Sequence, residues 1–202
     1  MKKNLKWIVC ILFLILFVLL AITVQKGDDI YLDSFAYKIV SKFINDDLTV
    51  IIKFLTYIGS AIAVIGITLF TLIFFKNKQY GLFMSIDLIV ITIIQVVLKN
   101  IFSRGRPVDI NLIKETGYSF PSGHSITSMA FYGFIIYLIY TSELSKKSKI
   151  LYISMFSLLI LVTGFSRVYL GVHYFTDVLG GFTLAISFLI VYTSIIGSKL
   201  RK

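Results

Sequence analysis

The chain has 202 residues, 57% of them hydrophobic, and a mean hydropathy of +0.91. Soluble domains are about half apolar, so most of this chain must sit in lipid and no separate soluble domain fits beside it. The formal charge of +10 comes with no RNA- or DNA-binding motif, and the single Cys10 excludes an internal disulfide.

A spanning helix needs about 20 mainly apolar residues. Six stretches qualify, approximately Trp7 to Val24, Leu48 to Phe75, Gly81 to Leu98, Gly123 to Tyr140, Ile150 to Phe165 and Phe175 to Ile196. They predict an all-α, six-transmembrane-helix bundle, one integral membrane domain over residues 1–202. The first stretch begins like a signal peptide with Lys2, Lys3 and Lys6, but no small-x-small site precedes Gln25-Lys26, so a retained anchor is expected.

Between the first two stretches, Leu32, Phe35, Ala36, Ile39, Val40, Phe43 and Ile44 recur at helical spacing. Asp33, Lys38, Ser41 and Lys42 fall on the other side, which predicts an amphipathic helix lying flat on the outer interface. It would either guide a lipid substrate or merely cover the bundle. Asp87, inside the third stretch, is an expensive residue in lipid and receives no role from its position. Gly164, Gly171, Gly180 and Gly181 suit close helix packing.

Loop charges set the orientation. With a cytoplasmic N-terminus, Lys2, Lys3, Lys6, Lys76, Lys78, Lys146, Lys147, Lys149, Lys199, Arg201 and Lys202 gather inside, opposed only by Glu143. Asp28, Asp29, Asp33, Asp46, Asp47, Asp109 and Glu115 fall outside. This positive-inside pattern predicts a multi-pass plasma-membrane protein with both termini cytoplasmic. It absorbs most of the net charge.

Three polar clusters interrupt the apolar chain, and the predicted topology brings all of them to the outer face. They read K-x6-R-P from Lys99 through Arg106, P-S-G-H from Pro121 to His124, and S-R-x5-H-x3-D from Ser166 through Arg167 and His173 to Asp177. Lys99, Arg106 and Arg167 can surround a tetrahedral anion, the arginines as rigid forks and the lysine as a point charge. Ser122 and Gly123 open the fourth helix, where free N–H groups and the dipole favour an anion. His173, four residues before Asp177 and so on the same helix face, suits a nucleophile whose ring a carboxylate orients; His124 suits the acid that protonates the leaving group and then activates water. Two histidines and one nearby carboxylate among cations make a poor metal site, so no metal and no cofactor are expected. Arg104 is read as a solvated loop cation.

The three blocks, in this order and spacing, resemble the signature of the membrane-bound type 2 phosphatidic acid phosphatase family, and the resemblance runs over essentially the whole chain. It implies the same assignment: nucleophile at His173, acid at His124, orienting carboxylate at Asp177, and phosphate contacts from Lys99, Arg106, Ser122, Gly123 and Arg167. It further implies a metal-independent phosphatase acting through a phosphohistidine on a lipid phosphate or pyrophosphate at the outer leaflet. Similar small bacterial enzymes act on undecaprenyl pyrophosphate, phosphatidylglycerol phosphate, phosphatidate and diacylglycerol pyrophosphate. The expected partners are that lipid and the bilayer, with no nucleic acid and no obligate protein. A phosphotransferase or haloperoxidase shares the signature residues; a six-span transporter would explain the helices but not the histidines.

Overall fold

The computed structural model describes residues 2–27, 30–108 and 110–200. Asp28, Asp29, Asp109, Arg201 and Lys202 of the loop-charge argument lie outside the described residues. Eight α-helices lie within them: α1 (Lys2–Gln25), α2 (Tyr31–Val40), α3 (Asp46–Thr56), α4 (Ala61–Phe74), α5 (Gln79–Phe102), α6 (Gly123–Thr141), α7 (Lys146–Tyr169) and α8 (Phe175–Leu200).

Among the described residues, four of these helices are long and apolar enough to cross a membrane: α1, α5, α7 and α8. Each outruns the apolar stretch that predicted it, so Lys99 closes α5 and Arg167 lies inside the last turn of α7 rather than in a loop. A basic side chain there complements the negative helix end. The expected second span, Leu48 to Phe75, is instead a pair, α3 and α4, bent by 46°, the form of either a broken span or a re-entrant loop.

The bend has a local cause. Ser60 takes extended dihedrals and caps α4, its hydroxyl accepting from Ala63 N–H at 3.4 Å, while the Tyr132 hydroxyl donates to the freed carbonyl of Ile58 at 2.5 Å. Gly59 allows the chain to press against α7, where a Cβ would stand 2.1 Å from Thr163 Cγ2.

α6 is the expected fourth span and the middle of the bundle, packing on α5, α7 and α8. It falls outside the four because its polar residues, His124, Ser125 and Ser128 among them, lower its mean hydropathy; Ser125 and Ser128 are buried inside the protein. Phe131, Tyr132 and Phe134 of α6 pack with Ile160 and Tyr192 in the largest apolar cluster. α1 lies along α8, and its outer face leaves Leu5, Ile8, Ile11, Leu12, Ile15, Leu19 and Ile22 exposed, as a lipid-facing surface requires.

In lipid the hydrophobic term no longer drives helices together, so packing and interhelical hydrogen bonds must hold them, each bond contributing about 0.6 to 2 kcal/mol. Tyr192 donates to Phe83 O at 2.5 Å, and Ser187 to Cys10 O at 3.1 Å.

The amphipathic segment forms a helix, α2, continued by a 3-10 turn over Ser41–Phe43, and it packs on α8 and α7. One expectation fails there. Asp33, assigned to the solvent side, is buried and points into the bundle. The long α5–α6 connection is pinned to the α7–α8 turn by Leu112 N–H donating to Leu170 O at 3.0 Å. Gly171 makes that close approach possible: its φ is +68°, and a Cβ would stand 2.2 Å from Ile110 O.

Candidate active site

Where α5, α6 and the α5–α6 and α7–α8 connections meet, a cavity of about 370 Å³ opens, lined by Lys99, Arg106, Glu115, Gly123, His124 and His173 among others. Thus Lys99 and Arg106 of the first block, Gly123 and His124 of the second and His173 of the third share one space. Ser122, Arg167 and Asp177 form a layer behind it.

His173 stands in the short turn before α8, not on a helix as the four-residue spacing suggested. Asp177, in the first turn of α8, accepts at Oδ2 from Tyr174 N–H at 2.9 Å, and the same oxygen lies 3.3 Å from His173 Nδ1. The carboxylate caps the helix start and grips the ring together. If Nδ1 carries the hydrogen, the other ring nitrogen presents a lone pair, and Arg106 Nη1 lies 3.0 Å from that Nε2. Burial first, then Arg106, Arg167 and Lys99, hold the His173 imidazole well below its ordinary pKa, so it is neutral near pH 7.

Arg106 is held like a tool in a rack. It donates from Nε to Gly117 O at 3.0 Å, from Nη2 to Thr116 O at 3.0 Å and from Nη1 to Val172 O at 2.8 Å. Lys99 donates to Tyr118 O. Arg167 is almost fully buried, donating from Nη1 to Thr56 Oγ1 at 2.8 Å and from Nη2 to Glu115. Glu115 also lies 3.7 Å from Arg106. Burial would raise its carboxyl, but Arg167 and the hydrogen bond it makes overcome that and hold the pKa low. Glu115, counted from the sequence only as an outer charge, therefore occupies the arginines with a carboxylate where a phosphate would compete.

Ser122 caps α6: its hydroxyl accepts from Ser125 Oγ at 2.9 Å and Ser125 N–H at 3.5 Å, and its own N–H donates to Asp177 O at 3.0 Å. Its side chain is buried and absent from the cavity lining, so it ties the second block to the third. His124, one residue into α6, lines the cavity within electrostatic reach of Arg167, Glu115 and Arg106.

Arg104 corrects the expectation of a solvated loop cation. It is 4% exposed and bridges two carboxylates, donating from Nη1 to Asp177 Oδ1 at 2.7 Å and from Nη2 to Asp33 Oδ2 at 2.8 Å. A guanidinium surrounded by apolar helices needs such compensation, and its fork can serve two anions at once. Asp87 stands apart, fully buried in α5, its carboxylate oxygens without a hydrogen-bond partner among the described residues.

Residues 80–201, which carry all three blocks, match the model of the PAP2 superfamily. The chain is 36% identical over 171 residues to phosphatidylglycerophosphatase B of Bacillus subtilis, covering 81% of this chain and 80% of the relative. It is 29% identical over 199 residues to an undecaprenyl-diphosphatase of Sulfolobus acidocaldarius, covering 95% and 92%. The crystal structure of a transmembrane PAP2-type phosphatidylglycerolphosphate phosphatase from Bacillus subtilis superposes with a TM-score of 0.85 at 26% identity, covering 94% of this chain and 96% of that one. Aquifex aeolicus LpxE shares the fold at a TM-score of 0.69 and 22% identity, covering 82% and 97%. The chain is a multi-pass membrane protein and belongs to the PAP2 superfamily, among its lipid phosphatases.

Proposed function

We propose that the protein hydrolyses the terminal phosphate of a lipid phosphate or pyrophosphate through a phosphohistidine at His173. The observation that carries this reading is the seating of His173 between Asp177 at Nδ1 and Arg106 at Nε2, on the wall of the cavity that also holds Lys99 and His124. Substrate phosphate oxygens take the donors of Arg106, Lys99 and Arg167, and Glu115 gives way to them. Nε2 then attacks phosphorus in line while the bond to the leaving oxygen breaks, and His124 protonates that oxygen. In the second step His124, now neutral, takes a proton from water, the resulting hydroxide attacks phosphorus, and the N–P bond breaks to release inorganic phosphate and free His173. Asp177 holds the ring orientation throughout. Gly123 and Ser122 set the α6 start against the phosphate.

No metal enters this scheme. Among the described residues no three of His, Cys, Asp and Glu are grouped to hold an ion, and the cavity cations would repel one.

The reading includes six spans, with α6 completing the bundle from inside and the α3–α4 pair as the second. Lys6, Lys76, Lys78, Lys146, Lys147, Lys149 and Lys199 then face the cytoplasm and the cavity faces out. The two curated relatives act on phosphatidylglycerophosphate and undecaprenyl diphosphate by name; both present a terminal phosphoryl group on a lipid, which is what the cavity recognises. An outward cavity favours the carrier-lipid pyrophosphate left outside after glycan transfer.

The test is phosphate release by purified protein with each lipid, in excess chelator and with no alcohol acceptor, together with an alkaline quench after phosphate-labelled substrate to look for a base-stable, acid-labile phosphoenzyme. Release that survives the chelator, with the label lost in His173→Ala, is the expected result. Turnover only with a lipid acceptor would make the protein a phosphotransferase, and a requirement for added magnesium would overturn the metal-free scheme.

A further inference from the structure

The attack on phosphorus uses one oxygen of Asp177, and the other is held by a group the reaction does not touch. Arg104 Nη1 donates to Asp177 Oδ1 at 2.7 Å, and its Nη2 donates to Asp33 Oδ2 at 2.8 Å, 71 residues back along the chain on α2. Asp33 does more than balance that charge. Its Oδ1 accepts from Thr176 N–H at 2.7 Å and its Oδ2 from the Thr176 hydroxyl at 2.8 Å, so it also grips the backbone immediately before Asp177. Arg104 Nη1 reaches the same hydroxyl at 2.8 Å, and its guanidinium lies 3.9 Å from the centre of the Tyr174 ring. The side chains of Asp33, Arg104 and Asp177 are 5%, 1% and 0% exposed.

We infer that Asp33 on the amphipathic helix α2 is a positioning residue for the His173–Asp177 pair, acting through Arg104 and Thr176. The inference rests on the roles proposed above for His173 and Asp177. Two physical effects support it. The guanidinium is planar and rigid, so fixing one edge on Asp33 fixes where the other edge meets Asp177. The charges along the row run negative, positive, negative. With Asp33 present, Arg104 divides its field between two carboxylates, and Asp177 keeps enough negative charge to hold the Nδ1 hydrogen and stabilise the ring as charge builds on it. Removing the Asp33 charge would leave Arg104 pulling on Asp177 alone, and would loosen the turn that carries His173. In this role α2 is part of the catalytic scaffold rather than a cover over it.

The experiment measures kcat and KM for detergent-purified Asp33→Asn and Arg104→Lys, each alone and combined with Asp177→Asn. His173→Ala and the exposed-face variant Lys38→Ala serve as controls. Asp33→Asn is near-isosteric, and Arg104→Lys keeps the charge but cannot span both carboxylates. Positioning predicts that either change lowers kcat by about tenfold or more with KM within about twofold. It also predicts that, once Asp177 is Asn, adding Asp33→Asn costs less than about twofold further, because the group it acts through is gone. Lys38→Ala should turn over as wild type. An equal loss in both backgrounds, accompanied by a lower thermal midpoint, would make Asp33 a fold contact and overturn the inference, as would wild-type kcat in both single variants while His173→Ala is silent. Should Asp33→Asn fail to fold, the same cycle run with Arg104→Lys decides the matter. Phosphate release persisting in His173→Ala would instead sink the site assignment on which the inference stands.

Discussion

Arg106 Nη1 lies 3.0 Å from His173 Nε2, so the ring nitrogen facing the cavity is capped by the arginine that should receive the phosphate. A phosphate that draws Arg106 toward its oxygens would uncap the lone pair at the moment phosphorus arrives. Arg106 thus has two tasks, and lysine can perform only part of them. Arg106→Lys, which keeps the charge and loses the fork, should lower kcat/KM by roughly ten- to a hundredfold. Steady-state kinetics on a lipid phosphate check this; a change within twofold would mean that charge alone suffices.

The pH dependence follows from the depressed His173 pKa, whose causes are burial, then Arg106, Arg167 and Lys99. A base with a lowered pKa stays unprotonated as pH falls, and is lost only when pH passes below that lowered value. The acid limb of kcat/KM should therefore lie well below the ordinary histidine value of about 6.5. Arg106→Ala removes one of the lowering charges and should move the limb to higher pH. A wild-type limb at or above 6.5 would contradict the environment described for His173.

Glu115 pairs with Arg167 and Arg106, so on the proposed reading a bound phosphate has to displace it. Unit charges about 4 Å apart near a protein surface interact by about 4 kcal/mol, and partial exposure and reorganisation leave a fraction of that. Glu115→Gln should tighten inhibition by inorganic phosphate roughly three- to tenfold. Inhibition constants at fixed ionic strength measure this. Weaker inhibition would show that Glu115 assists anion binding instead of opposing it.

Orientation can be read with a membrane-impermeant thiol reagent. Cys10 is buried, and Val108 is 74% exposed beside the first block. Val108→Cys should label in intact cells, whereas Lys147→Cys at the start of α7 should label only after the membrane is opened. Labelling of Lys147→Cys alone in intact cells would invert the topology and favour a lipid phosphate of the inner leaflet.

The bend at Gly59 gives a stability test away from the chemistry. Gly59→Ala sets a Cβ 2.1 Å from Thr163 Cγ2, an overpacking that costs about 1–3 kcal/mol. The thermal midpoint should fall by several degrees. Thr163→Ala in the same chain should recover part of the loss, and no shift in the single variant would mean that α4 and α7 can part without penalty.

The sequence by itself determined the solvent, the helices and the chemical inventory. Apolar run length and motif spacing are local properties, so α1, α5, α7 and α8 were legible, as were α2 and the grouping of Lys99, Arg106, Gly123, His124 and His173. Tertiary structure decided how each charge is compensated. Arg104 reads locally as a loop cation because its partners, Asp33 and Asp177, lie 71 and 73 residues away. Asp33 reads as the polar side of an amphipathic helix because helical periodicity cannot say which polar residue faces a buried cation. Glu115 and Arg167 meet across 52 residues, and the break at Gly59 and Ser60 depends on Thr163 and Tyr132 from other helices. Burial makes an uncompensated charge costly, and Arg104, Arg167 and Asp33, unlike Asp87, are each given a partner; which partner depends on helix packing, a relation between distant segments that no local pattern in the chain encodes.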